Sequence, residues 1–110
     1  MSIPKKYGGA ELDAVSQTII MEEMSKACNA TAVTMGAHTS LTCGPIVSYG
    51  TEEQKKKYLP LLASGKYLGA FALTEPNAGS DASNVQTVAV KEGDEYVING
   101  SKIFLSLIHI

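Results

Sequence analysis

The hydrophobic pattern of this chain changes period once, close to Gly65. Before that point apolar residues recur at helical spacing. After it they alternate or run together, as in strands. One such switch implies a helical part joined to a β part, an α+β chain. With 110 residues, 45% of them hydrophobic, the chain is one domain or a piece of a larger one, with enough apolar content for a core.

The helical part is expected over residues 11–65. The opening "MSIPKKYGGA" carries Pro4 and Gly8-Gly9 and reads as a loop. Asp13 is placed to cap a helix on which Val15, Ile19, Ile20, Met24 and Ala27 fall at helical spacing, with Glu22 and Glu23 on another face. The Ala/Thr/Gly/Ser-rich stretch that follows predicts a buried helix from Ala30 to Leu41 and a short one from Gly44 to Tyr49. Thr51 and Gln54 have the spacing of a capping box. Their helix should run to Leu59, with Pro60 opening another turn and Ser64-Gly65 ending it in a left-handed cap.

The β part should be antiparallel, with about four strands. Tyr67–Leu73 reads as the first strand, and Val85, Thr87 and Ala89 alternate with Gln86, Val88 and Val90. Glu92-Gly93-Asp94 is a turn, and Tyr96-Val97-Ile98 is the next strand. Asn99-Gly100 is a strong hairpin signal, with Ser101–Phe104 returning from it.

A formal charge of −2 gives no electrostatic case for nucleic acid or an anionic membrane. Lys55-Lys56-Lys57 follows Glu52-Glu53 and reads as a solvated helix face. No run approaches the ~20 apolar residues of a membrane span, and the N-terminus has no export signal pattern. Together with Cys28 and Cys43, read as reduced core thiols, this points to the cytoplasm. Neither cysteine belongs to a C-x-x-C pair, and His38 and His109 lack metal-ligand spacing, so no metal site is expected. His38 reads as a satisfied core histidine rather than a catalyst.

The chemistry concentrates in "LTEPNAGSDA", residues 73–82. Pro76 fixes its own φ and restricts Glu75. Asn77 and Gly79 tolerate left-handed backbone. Such a turn aims backbone N–H groups one way, as a nest for an anion, with Thr74 and Ser80 adding hydroxyl donors. It is equally the pattern of a rigid β-turn with Asp81 as a cap. There is neither a G-x-G-x-x-G nor a G-K-[ST] motif. Glu75 reads as an exposed acid, and no partner acid is marked for paired acid/base work.

Here a resemblance adds what spacing does not. "AFALTEPNAGSDAS", followed by "GDEYVINGSKIF", resembles the acyl-CoA dehydrogenase family. "YGTEEQKKKYLPLLASGKYLGAFALTEP" is similar to the same family where its N-terminal helical domain meets its middle β domain. The resemblance runs from "IPKKYGG" to Phe104 and looks most like short-chain, butyryl-CoA-type bacterial enzymes. It implies residues 1–66 as part of the helical domain and 67–104 as the start of a β-barrel-like middle domain. It also implies an FAD enzyme that removes hydrogens from the α and β carbons of an acyl-CoA. A base takes the α-proton, the β-hydrogen leaves as hydride to FAD, and an electron-transferring flavoprotein receives the electrons. The parent would be a tetramer. A non-catalytic binding module of the same fold and an acyl-CoA oxidase are the alternative readings.

Carried over by position, Phe71, Leu73 and Thr74 match residues that line the flavin ring, Thr74 by hydrogen bonding. Gly79 and Ser80 match positions near the FAD diphosphate, and Ser80 also matches one that contacts acyl-CoA. Phe104 matches an aromatic beside the flavin. Ser106 falls where the family has a threonine near the flavin N5 atom. The family continues after "SKIF" with Ile-Thr-Asn-Gly, whereas this chain has "LSLIHI". Residues 105–110 are therefore expected to be a non-native tail, a translated adaptor that would leave His109 without meaning. The family's C-terminal helical bundle, with its catalytic glutamate, is not matched within these residues. Glu22, Glu23 and Glu75 do not match that role, so no catalytic residue is assigned. The start of the helical domain is likewise unmatched, which leaves room for Met1 to be internal.

Overall fold

The computed structural model describes residues 2–107. His109 and half of the expected tail, residues 108–110, therefore lie outside the described residues. Two compact units are present, residues 2–71 and Ala72–Ser106, with Leu107 counted in the first.

The first unit is helical. Asp13 accepts a hydrogen bond from the Ser16 amide at 2.7 Å and starts α1, Ala14–Ala27. The junction at Cys28 is extended, and α2 follows over Asn29–Gly36. The expected helix to Leu41 instead widens into a π-helical stretch, Ala37–Cys43. Hydroxyls here compete for the carbonyls that the helix ladder would use. Thr34 donates to Ala30 O at 3.0 Å and Thr39 to Met35 O at 2.8 Å, contacts that bend helices. Helix α3 spans Gly44–Tyr49 and α4 spans Glu52–Ala63.

The capping box at Thr51 and Gln54 forms in both directions, at 3.2 and 2.9 Å. Helix α4 does not stop at Leu59. It runs through Pro60 because Leu59 and Leu62, three apart on one face, are both buried. Their burial outweighs the one backbone bond that proline removes. Gly65 then closes the helix at φ 71°, its N–H donating to Leu62 O at 3.1 Å.

The core of this unit is Ile3, Tyr7, Cys43, Leu59 and Leu62, with Ile46, Val47 and Ala63 against it. The Tyr7 hydroxyl donates to the Glu52 carboxylate at 2.8 Å, which ties the N-terminal segment to α4. Cys43 is buried as expected, and burial pushes its thiol pKa up. Cys28 is not a core residue. It is exposed at the α1–α2 junction, where the Thr31 hydroxyl bonds its sulfur and lowers its pKa.

His38 is buried and fully partnered. The Gly69 amide donates to Nδ1 at 3.0 Å, so Nε2 carries the proton and donates to Leu62 O at 3.1 Å. The bond to Gly69 belongs to a segment, Tyr67–Leu73, that was expected as a strand and has no ladder partner.

The second unit holds two antiparallel strands, not four. β1 is Val88–Glu92 and β2 is Glu95–Asn99, paired from Val88↔Asn99 to Glu92↔Glu95. The turn forms where "EGD" places it, with Gly93 at φ 63°. The Asn99-Gly100 hairpin does not form. The ladder ends at Val88↔Asn99, and just beyond it Gly100 lies against Thr87. A Cβ at Gly100 would overlap the Thr87 side chain and come within 2.8 Å of its Cα. This glycine serves close approach, not a turn.

Candidate functional site

The turn after Leu73 is built by two backbone bonds. The Glu75 amide donates to Ala78 O, and the Ala78 amide donates to Glu75 O, each at 3.1 Å. Between them Pro76 and Asn77 make the bend, and the Asn84 side chain donates to Asn77 O at 2.9 Å. Neither Asn77 nor Gly79 has positive φ, contrary to expectation. The pre-set φ of Pro76 and the reciprocal bonds close the turn without a left-handed residue. Asp81 does not cap a backbone amide. Its carboxylate accepts from the Ser83 hydroxyl instead.

The larger departure concerns Glu75, which is buried at 5% exposure rather than exposed. One carboxylate oxygen accepts from the Gln86 amide at 2.7 Å. The other accepts from the Thr87 amide at 3.0 Å, from the Thr87 hydroxyl, and from Lys102 Nζ at 2.8 Å. The Lys102 ammonium first, then the Thr87 hydroxyl and the Gln86 amide, pull the Glu75 carboxyl down to about 2. Lys102 Nζ also donates to Leu73 O at 2.9 Å, and the Ile103 amide donates to Thr74 O at 2.8 Å.

These bonds lay residues 73–75 alongside residues 102–103, and so bring Leu73, Thr74 and Phe104 to one edge of the second unit. Leu73 is exposed, and Phe104 is 87% exposed on a backbone at φ 52°. Gly79 and Ser80 lie beyond the turn, both exposed. Among the described residues, the amides of Gly79 and Ser80 and the hydroxyls of Thr74 and Ser80 have no hydrogen-bond partner. A Cβ at Gly79 would meet open space. Phe71 is half-buried and belongs to the first unit, the other five to the second.

Lys102 was missed by sequence reasoning. Its one signal is a lone cation in an otherwise uncharged stretch, Asn99–Leu105. An apolar cleft of about 450 Å³ in the first unit, lined by Leu12, Ile20, Met21, Met35, His38 and Leu62 among others, contains none of the six candidate residues. No described helix is long and apolar enough to cross a membrane.

Known proteins share this sequence and fold. Residues 1–66 match the acyl-CoA dehydrogenase N-terminal domain, and residues 70–110 match the middle domain of the same family. The short-chain specific acyl-CoA dehydrogenase of Clostridium acetobutylicum is 58% identical over 108 residues, covering 96% of this chain and 28% of its own length. An acyl-CoA dehydrogenase of Bacillus anthracis, solved in complex with FAD, superposes with a TM-score of 0.85 at 51% identity, over 94% of this chain and 18% of its own. A chain in the structure of the electron transferring flavoprotein of Acidaminococcus fermentans reaches a TM-score of 0.88 at 53% identity, over 93% of this chain and 27% of its own. The fold is thus that of N-terminal helices leading into the first strands of a middle β domain. The chain belongs to the acyl-CoA dehydrogenase family. It spans little more than a quarter, 28%, of the length of the clostridial relative.

Proposed function

We propose that this chain supplies the flavin-facing turn of an FAD-dependent dehydrogenase that converts a short-chain acyl-CoA to the trans-2-enoyl-CoA. The observation that carries the reading is a set of donors unengaged among the described residues, Thr74, Gly79 and Ser80, on the turn that follows exposed apolar Leu73, with exposed Phe104 brought to the Leu73–Thr74 edge. A flavin dinucleotide needs that combination: donors for a diphosphate and an apolar ledge for a ring. The open space at Gly79 lets the backbone come close to phosphate oxygens. The residues present therefore fit FAD.

Bound FAD supplies the two-electron acceptor for the α,β-dehydrogenation. This chain's residues bind and orient. The Thr74 hydroxyl would donate to a polar edge of the ring, while Leu73 and Phe104 would exclude water from it; Phe71, in the first unit, stays a flavin-lining position by resemblance alone. The Gly79 and Ser80 amides and the Ser80 hydroxyl hold the diphosphate, with Ser80 also placed toward the acyl-CoA. None of them is a base. Glu75 is buried and paired with Lys102, and its carboxyl is held down to about 2, so it is a weak base.

The clostridial relative supports the short-chain substrate, and the likeness to the A. fermentans chain supports an electron-transferring flavoprotein as acceptor. Bacterial relatives support a cytoplasmic enzyme, and the exposed apolar positions of α1 support a homo-oligomer. The test is anaerobic titration of the FAD-loaded full-length enzyme with butyryl-CoA. Bleaching of the flavin band is expected. A flavin that binds and does not bleach with any acyl-CoA would reject the dehydrogenase reading in favour of a binding module.

A further inference from the structure

The Glu75–Lys102 pair lies behind the candidate flavin edge and is not explained by ligand contact. Lys102 bridges the Glu75 carboxylate and the Leu73 carbonyl, at 2.8 and 2.9 Å. The next backbone bond along, Ile103 to Thr74 at 2.8 Å, lies between the residues that flank the edge. Glu75 in turn reaches Gln86 and Thr87, just before β1. One ion pair therefore joins three segments that have no sheet ladder between them. Leu73 and Thr74 sit on one of these segments and Phe104 ends another. A ladder would hold such an edge through many backbone bonds; here the Lys102 ammonium and the Ile103–Thr74 backbone bond contribute to holding it.

We propose that Glu75 and Lys102 are positioning residues that set the spacing between the Thr74 side of the flavin edge and Phe104, and through it the affinity and environment of the bound flavin. The proposal rests on the reading of this edge as the flavin site. Neither residue touches the cofactor in it. Lys102 acts by fixing Leu73 O, and Glu75 acts by fixing Lys102. A misplacement of an ångström at a binding edge has large effects, because ring contacts and the Thr74 donor must be made together.

The test is made on the FAD-loaded full-length enzyme. Wild-type flavin binding is measured first, and protein that folds but does not bind FAD overturns the functional reading itself. Lys102→Met is the main variant, because it leaves the three bonds from residues 86 and 87 to Glu75 in place. The expected result is a rise of about tenfold in the Kd for FAD, as for the loss of one charge-assisted contact. A shifted flavin absorption band and an unchanged far-UV circular dichroism spectrum should accompany it. Lys102→Arg, which keeps the charge and two donors, should restore both readouts. An FAD affinity within about twofold of wild type with an unshifted flavin band overturns the proposal. So does loss of flavin that only tracks loss of the circular dichroism signal, since that is a purely structural role.

Discussion

Glu75 and Lys102 are 27 residues apart in sequence and 2.8 Å apart in space, with the carboxylate 5% exposed and the lysine side chain 23% exposed. Their pairing turns the most polar turn of the chain inward. The acid faces the interior of the second unit, and the hydroxyls of Thr74 and Ser80 have no hydrogen-bond partner among the described residues.

The pairing has a pH signature. Glu75 titrates near 2 when folded, against an ordinary value of 4.5. A carboxyl with a depressed folded pKa stabilises the fold fully above its unfolded pKa, and that stability is lost as pH falls through the folded value. The second unit should therefore hold constant stability above pH 4.5 and lose it between 4.5 and about 2. Protection factors at the Gln86, Thr87 and Ile103 amides, the observed exchange corrected for the intrinsic rate at each pH, should fall with acid across that window. Glu75→Gln should remove the acid step and lower protection at neutral pH. Protection at these three amides that stays flat down to pH 2 in the wild type would contradict the pairing.

Gly100→Ala tests the corrected reading of Asn99-Gly100. The added Cβ would press on the Thr87 side chain and on its Cα, 2.8 Å away, and a backbone atom does not yield as a rotamer does. We expect a loss of about 1–3 kcal/mol, the usual range for overpacking, read by urea unfolding of the second unit. Because Thr87 donates to Glu75, the Thr87 amide should also exchange faster. A true hairpin glycine would give neither change at Thr87, only strain at its own φ.

Thr51→Ala should cost about 1 kcal/mol, because it deletes the Gln54 amide's acceptor and half of the capping box. Thr51→Ser keeps the acceptor and should stay within about 0.5 kcal/mol of wild type. Chemical denaturation followed by Tyr58 fluorescence on α4 would separate the two. Equal stabilities for Ala and Ser would show that the box adds nothing.

The parts that could be read from the sequence are the ones decided within a few residues. The caps at Asp13, Thr51–Gln54 and Gly65 and the turn at Gly93 depend on local bonds and on glycine φ, and all formed where their residues stand. The continuation of α4 past Pro60 depended on where Leu62 would be buried. The two missing strands depended on partners that no local pattern names. Glu75 looked exposed because Pro76, Asn77 and Gly79 surround it in sequence, while its true partner is Lys102, far downstream. The partners of His38 were hidden for a similar reason: Leu62 and Gly69 both come from beyond α3. The types of the candidate residues Leu73, Thr74 and Phe104 were visible early, and their shared edge came only from the bonds of Lys102 and Ile103.

Helix α1 has apolar residues at the expected spacing and buries none of them. Val15 and Ile19 lie four apart on one row of the helix and are 67% and 54% exposed. Apolar rows of this kind on a free chain drive association at micromolar to millimolar concentration. The 110-residue chain should therefore self-associate, giving a weight-average mass in sedimentation equilibrium above its 11.6 kDa by about 100 µM. Val15→Glu with Ile19→Lys replaces the row by an i,i+4 pair in the favourable order, which supports the helix by a few tenths of a kcal/mol. The double variant should be monomeric with unchanged helical circular dichroism. If it associates as strongly as wild type, α1 is not the sticky face, and the exposed Tyr49 and Phe104 become the surfaces to change next.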